Sequence, residues 1–179
     1  DALAGKAREL TAQAKTELEK IQILGRYAQN IKYVSIQIGA GRGGGYRPHS
    51  SLEIFKKSYG DCKDKALLLA TVLSSLGIEA HPALVNSDLL GRVQDVLPSP
   101  YAFDHVITVV QLNGQTYWFD PTVSLQRGGL AQHSNPEFGR ALVVSPSTQA
   151  LAEIALLPPA KPLKTVKEVY TVNADQRSA

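Results

Sequence analysis

Apolar residues recur at Leu3, Leu10, Ala14, Leu18, Ile21, Leu24, Ala28 and Ile31, with Lys6, Arg8, Glu17, Glu19 and Lys20 between them. These spacings keep the apolar set on one face and predict an N-terminal helix over residues 1–31. Lys32 to Ile38 alternates Val34, Ile36 and Ile38 with Ser35 and Gln37, the period of a short strand. Ser50 and Glu53 have capping-box spacing, so a short helix is expected over 51–58, ended by Tyr59-Gly60. Asp61 then stands ready to cap the next helix. In that helix Ala66, Leu69, Leu73 and Leu76 repeat at helical spacing, Leu67, Leu68, Ala70 and Val72 widen the apolar surface, and Gly77 supplies a stop. Such a helix is buried nearly all round.

Beyond Gly77 the period changes to that of strands. Residues 80–85 read as a strand despite Pro82, which suits an edge or a strand start. Residues 87–100 read as loop. Residues 102–112 and 115–120 are two strands joined by Asn113-Gly114, the strongest short hairpin signal. Further strands are expected over 140–145 and 165–172, with the proline-rich stretch 158–162 between them as a linker or domain edge. The organisation expected is therefore an α+β domain over 1–160 and a tail, 161–179, of linker and strand.

The 179 residues are 44% hydrophobic and 20% charged, enough to bury a core in one domain. Nineteen Lys and Arg face sixteen Asp and Glu, for a net charge of +3, and both signs are scattered. No basic stripe points to nucleic acid. The longest apolar stretch, 66–78, is too short and interrupted to insert in a membrane. One cysteine cannot form an internal disulfide, so redox compartment stays open. The absence of methionine and of a signal-peptide centre suggests a domain cut from a longer protein.

Cys62 lies where turn and cap residues give way to the apolar helix, a place where unpaired N–H groups, the macrodipole and the nearby Lys63 and Lys65 favour thiolate. The hairpin locates its partners. With Asn113 and Gly114 as central turn residues, Leu112 faces Gln115, Val110 faces Tyr117 and Ile107 faces Asp120. His105 shares a face with Ile107, so Asp120 lies on that face diagonal to His105, within reach. Cys62 then reads as nucleophile, His105 as the base that forms the thiolate and the acid that protonates a leaving amine, and Asp120 as the group orienting the imidazole. The Cys62 N–H would stabilise an oxyanion, with Gln37 or Tyr33 as candidates for the second donor.

The runs at 59–69 (Tyr-Gly-Asp-Cys-Lys-Asp-Lys-Ala-Leu-Leu-Leu), 76–80, 103–106 and 117–122 (Tyr-Trp-Phe-Asp-Pro-Thr) resemble the bacterial transglutaminase-like domain family. The resemblance implies a papain-like fold in which a central helix carrying the cysteine packs on an antiparallel sheet carrying His and Asp. It carries Cys62, His105 and Asp120 over as the triad. It also implies thiol-dependent acyl transfer on a peptide or protein amide, with transamidation or hydrolysis as the outcome. The alternative is a non-catalytic interaction module that retains the fold. No cofactor and no metal are expected. An exported or periplasmic setting between β-rich domains of a larger protein is implied as well.

Other features have plainer readings. The glycine run 39–45 formally satisfies a dinucleotide-binding pattern, but Tyr46-Arg47-Pro48-His49 separates it from the next helix. It reads instead as a loop beside the cleft. Trp118 and Tyr59 are candidates to line the substrate cleft, with sheet packing the alternative for Trp118. Asp61 and Asp64 read as caps, His49, His81 and His133 as surface or structural residues, and Asp104 as pointing to the face opposite His105.

Overall fold

The structure, a computed structural model, describes residues 2–35, 45–124, 126, 129–130, 137–155 and 165–170. The N-terminal apolar pattern forms two helices rather than one, α1 (Ala2–Leu10) and α2 (Glu17–Asn30). Thr16 ends the continuity. Its side chain accepts from the Glu19 N–H at 3.1 Å, and the Glu19 carboxylate accepts from the Lys15 N–H, so the cap outcompetes the i to i+4 ladder. Leu18, expected on the apolar face, is consequently 42% exposed.

Lys32–Tyr33 forms β1, shorter than expected: Val34 and Ser35 lie outside any strand, and 36–38 fall outside the described residues. Then come α3 (Ser51–Lys57), capped by Ser50 as its spacing implied, and β2 (Tyr59–Gly60), which pairs with β1 in parallel. The buried helix is α4 (Cys62–Ser74). Strands β3 (Glu79–Val85), β4 (His105–Leu112), β5 (Gln115–Phe119), β6 (Arg140–Val143) and β7 (Ala152–Glu153) make one antiparallel sheet in the order β5-β4-β3-β6-β7.

Two expectations are corrected here. Pro82 sits in the central strand, not at an edge: its carbonyl accepts from the Val144 N–H at 2.8 Å. Its donorless nitrogen faces the same side, where the ladder of Ala83 with Val143 and Leu84 with Leu142 ends, so no bond is lost. Residues 165–170 form no strand, because Val166, Val169 and Tyr170 are exposed and have no paired edge to join. The loop 87–100 contains two short 3-10 turns, Leu90–Asp95 and one beginning at Pro100. The proline-rich stretch 158–162 lies outside the described residues.

Alternation along the strands builds two core layers. Ala80, Val110 and Phe119 meet α1, α2 and α4 through Leu3, Ile21, Leu24, Leu69 and Leu73. Ala83, Val85, Ile107 and Val109, of the other parity, pack with Phe138, Ala141 and Ile154. Truncating a leucine as enclosed as Leu69 to alanine costs roughly 2–5 kcal/mol, so α4 is a rigid mount for its first residue. Gly25 lets α2 approach the sheet, since a Cβ there would lie 3.0 Å from the Phe119 ring.

Candidate active site

Asp61 and Asp64 fix the start of α4 by a reciprocal capping box, each carboxylate accepting the other's backbone N–H at 3.3 Å. Asp64, buried, also accepts from the His49 N–H at 2.8 Å and contacts His49 Nδ1 at 3.1 Å. Gly60 is required by this packing, because a Cβ at that position would stand 2.7 Å from Asp64 Cβ. Cys62 is therefore the first residue of a helix whose entry is pinned from three sides. Its N–H, in the first turn, has no intrahelical acceptor.

The neighbouring lysines do not both flank the thiol. Lys63 pairs with the Asp61 carboxylate, and Lys65 turns into the interior, where its Nζ donates to Ile31 O at 2.6 Å and Gln29 O at 3.2 Å. Burial pushes the Lys65 ammonium down to about 8, against an opposing pull from the Asp120 charge.

The hairpin adopts the register that its sequence implies. Leu112 pairs with Gln115 and Val110 with Tyr117, and Asn113 (φ 51°) and Gly114 (φ 75°) occupy the left-handed region demanded by a two-residue turn. Asp120 follows immediately after β5, and His105 opens β4. His105 Nε2 and Asp120 Oδ2 are 2.9 Å apart, and the Asp120 side chain is almost wholly buried. The other carboxylate oxygen accepts from the Thr122 N–H at 2.8 Å and the Thr122 hydroxyl at 2.6 Å. Thr108 donates to Ala66 O at 3.2 Å and so ties β4 to α4. Asp104 turns away and accepts from Ser87.

Cys62 also acts on the His105 ring and favours its charged form. With Nε2 engaged by Asp120, Nδ1 is the ring nitrogen left for sulfur. Burial alone would lower the basicity of this imidazole, yet the hydrogen bond with Asp120 and the charges of Asp120 and Cys62 push it up to about 10. Burial likewise opposes the Asp120 charge, but His105 and Thr122 hold the carboxyl below its ordinary range. The Phe138 ring lies 5.7 Å from the His105 ring, tilted by 37°. The arrangement suits a thiolate–imidazolium pair, which supplies both a nucleophile and a proton donor at neutral pH.

Of the remaining candidates, Tyr33 lies beside Gly60 in the β1–β2 pair, and the Cys62 charge helps burial raise its phenol. Tyr59 is partly exposed in β2. Trp118 packs on the sheet face of Ala83, Val85 and Ile107. Gln37, His133 and the glycines from Gly39 to Gly44 lie outside the described residues. Thr122 is the site residue that sequence reasoning passed over, and Lys65, expected beside the thiol, is instead held in the interior. Asp120-Pro121-Thr122 carried the spacing of an Asx turn, and Lys65 stands four and eight residues before Leu69 and Leu73, on the buried stripe. No group of three or more metal-ligating side chains occurs among the described residues.

The pattern of the transglutaminase-like superfamily matches residues 4–117, a span that includes Cys62 and His105 and ends before Asp120. No curated protein matches the chain. Among solved structures, a candidate protease from Parabacteroides distasonis aligns over 90% of this chain and 28% of its own, with a TM-score of 0.59 at 16% identity. A candidate cysteine protease from Cytophaga hutchinsonii aligns over 68% of this chain and 37% of its own, with a TM-score of 0.52 at 18% identity. The chain thus spans about a third of the length of these neighbours, and the likeness is one of fold.

Proposed function

Because the chain belongs to the transglutaminase-like superfamily, we propose that this domain performs thiol-dependent acyl transfer on peptide or protein amides through a Cys62 thioester. The observation that carries the reading is the His105–Asp120 contact at 2.9 Å, with Cys62, the first residue of α4, acting electrostatically on the same imidazole. The Cys62 thiolate attacks the amide carbon, forming the S–C bond and placing negative charge on the carbonyl oxygen. The unpaired Cys62 N–H at the start of α4 faces that charge, and the Tyr33 hydroxyl or Gln37 is the second donor. His105 delivers its proton to the departing amine as the C–N bond breaks. Water or an acceptor amine then adds to the thioester and gives its proton to His105, and Cys62 leaves as thiolate, ready to re-form the pair.

Asp120 stays ionised throughout and stabilises the imidazolium. Tyr59 and Trp118 border the cleft that receives the acyl group. In both structural neighbours the fold occupies a minor share of the chain, which supports reading it as a module that works beside other domains. The test is incubation with a library of glutamine-containing peptides, with and without a primary amine, scored by mass spectrometry. New carboxylates or new amide linkages formed by the native chain and absent with Cys62→Ala support the reading. Peptides retained without turnover would make the domain a binding module.

A further inference from the structure

Two exposed tyrosines from distant parts of the sequence meet each other. Tyr46 is 62% exposed and Tyr101 80%, yet their ring centroids lie 6.0 Å apart with the planes at 81°, an edge-to-face pair. Single apolar side chains scattered over a surface need no explanation, but a pair assembled from two segments does. Each segment is fastened to an element of the acyl-transfer site. Tyr46 stands three residues before His49, whose N–H donates at 2.8 Å to the Asp64 carboxylate in the first turn of α4, the turn that Cys62 opens. Tyr101 stands four residues before His105, in the short turn that begins at Pro100. The Ser99 hydroxyl accepts from the Tyr101 N–H at 3.2 Å, and Asn86 donates to Ala102 O at 2.9 Å. The Asp104 N–H then donates to Val85 O at 3.1 Å and leads the chain into β4. The tyrosine contact therefore joins the segment fastened to the first turn of α4 to the segment that enters β4. A chain advances at most about 3.6 Å per residue, so Tyr101 lies within about 14 Å of His105 and Tyr46 within about 11 Å of His49.

We propose that Tyr46 and Tyr101 form a specificity subsite for an aromatic side chain carried by the peptide substrate within four residues of the amide that Cys62 attacks. The inference rests on the acyl-transfer reading and names the feature by which its peptide is chosen. A peptide whose amide sits between Cys62 and His105 has its neighbouring residues within reach of the pair, because extended residues advance about 3.4 Å each. Two rings at right angles leave a corner walled by a ring face and a ring edge, the two surfaces on which a third aromatic ring packs. Each ring holds the other, so less rotamer freedom is lost when a peptide binds than two separate tyrosines would lose. Neither tyrosine belongs to the two core layers, so both rings are free to serve recognition.

The experiment measures alkylation of Cys62 in the whole chain by polyglycine peptides whose central residue carries an iodoacetamide group, with or without one Phe among the glycines on either side. These probes label the thiol whether or not the protein transfers acyl groups. In the native chain, Phe at one or more positions is expected to raise the second-order labelling rate about tenfold over the all-glycine peptide, the low end for an apolar subsite. The gain should lie in the half-saturating concentration and not in the limiting rate. Tyr46→Ala and Tyr101→Ala each bring the ratio close to one, and Tyr101→Phe, which keeps the ring, retains it. Taking the ratio within each variant cancels any change in thiol reactivity, and thermal melting establishes that each variant is folded. Equal rates for all peptides in the native chain overturn the proposal, and so does a Phe preference that survives both alanine variants. Failure of the acyl-transfer reading looks different, because the Phe preference then stands while activated esters leave no thioester at Cys62.

Discussion

Asp120→Asn removes the charge that most directly holds the imidazolium and keeps the side-chain shape. In the native chain His105 is raised from 6.5 to about 10, a preference for the charged ring of about 5 kcal/mol that Asp120 and Cys62 share against burial. An opposing charge at hydrogen-bond distance contributes on the order of 1–3 pH units, so the variant imidazole should lose about two of them. The thiolate–imidazolium pair is then about a hundredfold less populated relative to the neutral pair. Thr122 still donates to the retained carbonyl oxygen, so local structure should survive. The assay is iodoacetamide labelling of Cys62 at pH 6, with thermal melting to establish that the variant is folded. A fall of about a hundredfold is expected. A folded variant that labels at the native rate would refute the reasoning, because the carboxylate would then contribute nothing to the ion pair.

Stability against pH carries two opposing terms. His105 binds its proton more tightly when folded, so its contribution is complete below 6.5 and declines by about 1.4 kcal/mol per pH unit as pH rises toward about 10. Lys65, lowered to about 8 from 10.5, works in the opposite sense above 8. Denaturant titrations should therefore show stability falling between pH 6.5 and 8 and flattening from 8 to 10, and a continuous fall would show that Lys65 keeps its proton. Gly60→Ala forces a Cβ against Asp64 and should cost about 1–3 kcal/mol with slower Cys62 labelling, measured by urea unfolding and alkylation together. Thr16→Ala removes the cap that separates α1 from α2 and should cost about 1 kcal/mol while leaving Cys62 labelling unchanged.

What was legible in the sequence was local or fixed by a count. Ser50 with Glu53 and Asp61 with Asp64 announce helix starts because a short polar side chain three residues from its partner can satisfy orphan N–H groups. Asn113-Gly114 fixed the register, and register alone brought Asp120 to His105. What was not legible depended on neighbours distant in sequence. Thr16 carries the same capping signal as Ser50, yet the apolar period running through it masked the break. Pro82 is tolerated in a central strand only because β6 leaves the ladder beside it, and no residue near Pro82 records that. Lys65 looked like charge beside a thiol, whereas the carbonyls that hold it lie more than thirty residues earlier.

A covalent acyl intermediate on Cys62 can be trapped by quenching the chain in acid seconds after mixing with an activated peptide ester and mapping the adduct by mass spectrometry. One acyl group per chain is expected, attached at Cys62, released by hydroxylamine, and formed far more slowly in His105→Ala. An adduct spread over lysines, or none at Cys62 while the chain is folded and its thiol intact, would contradict it.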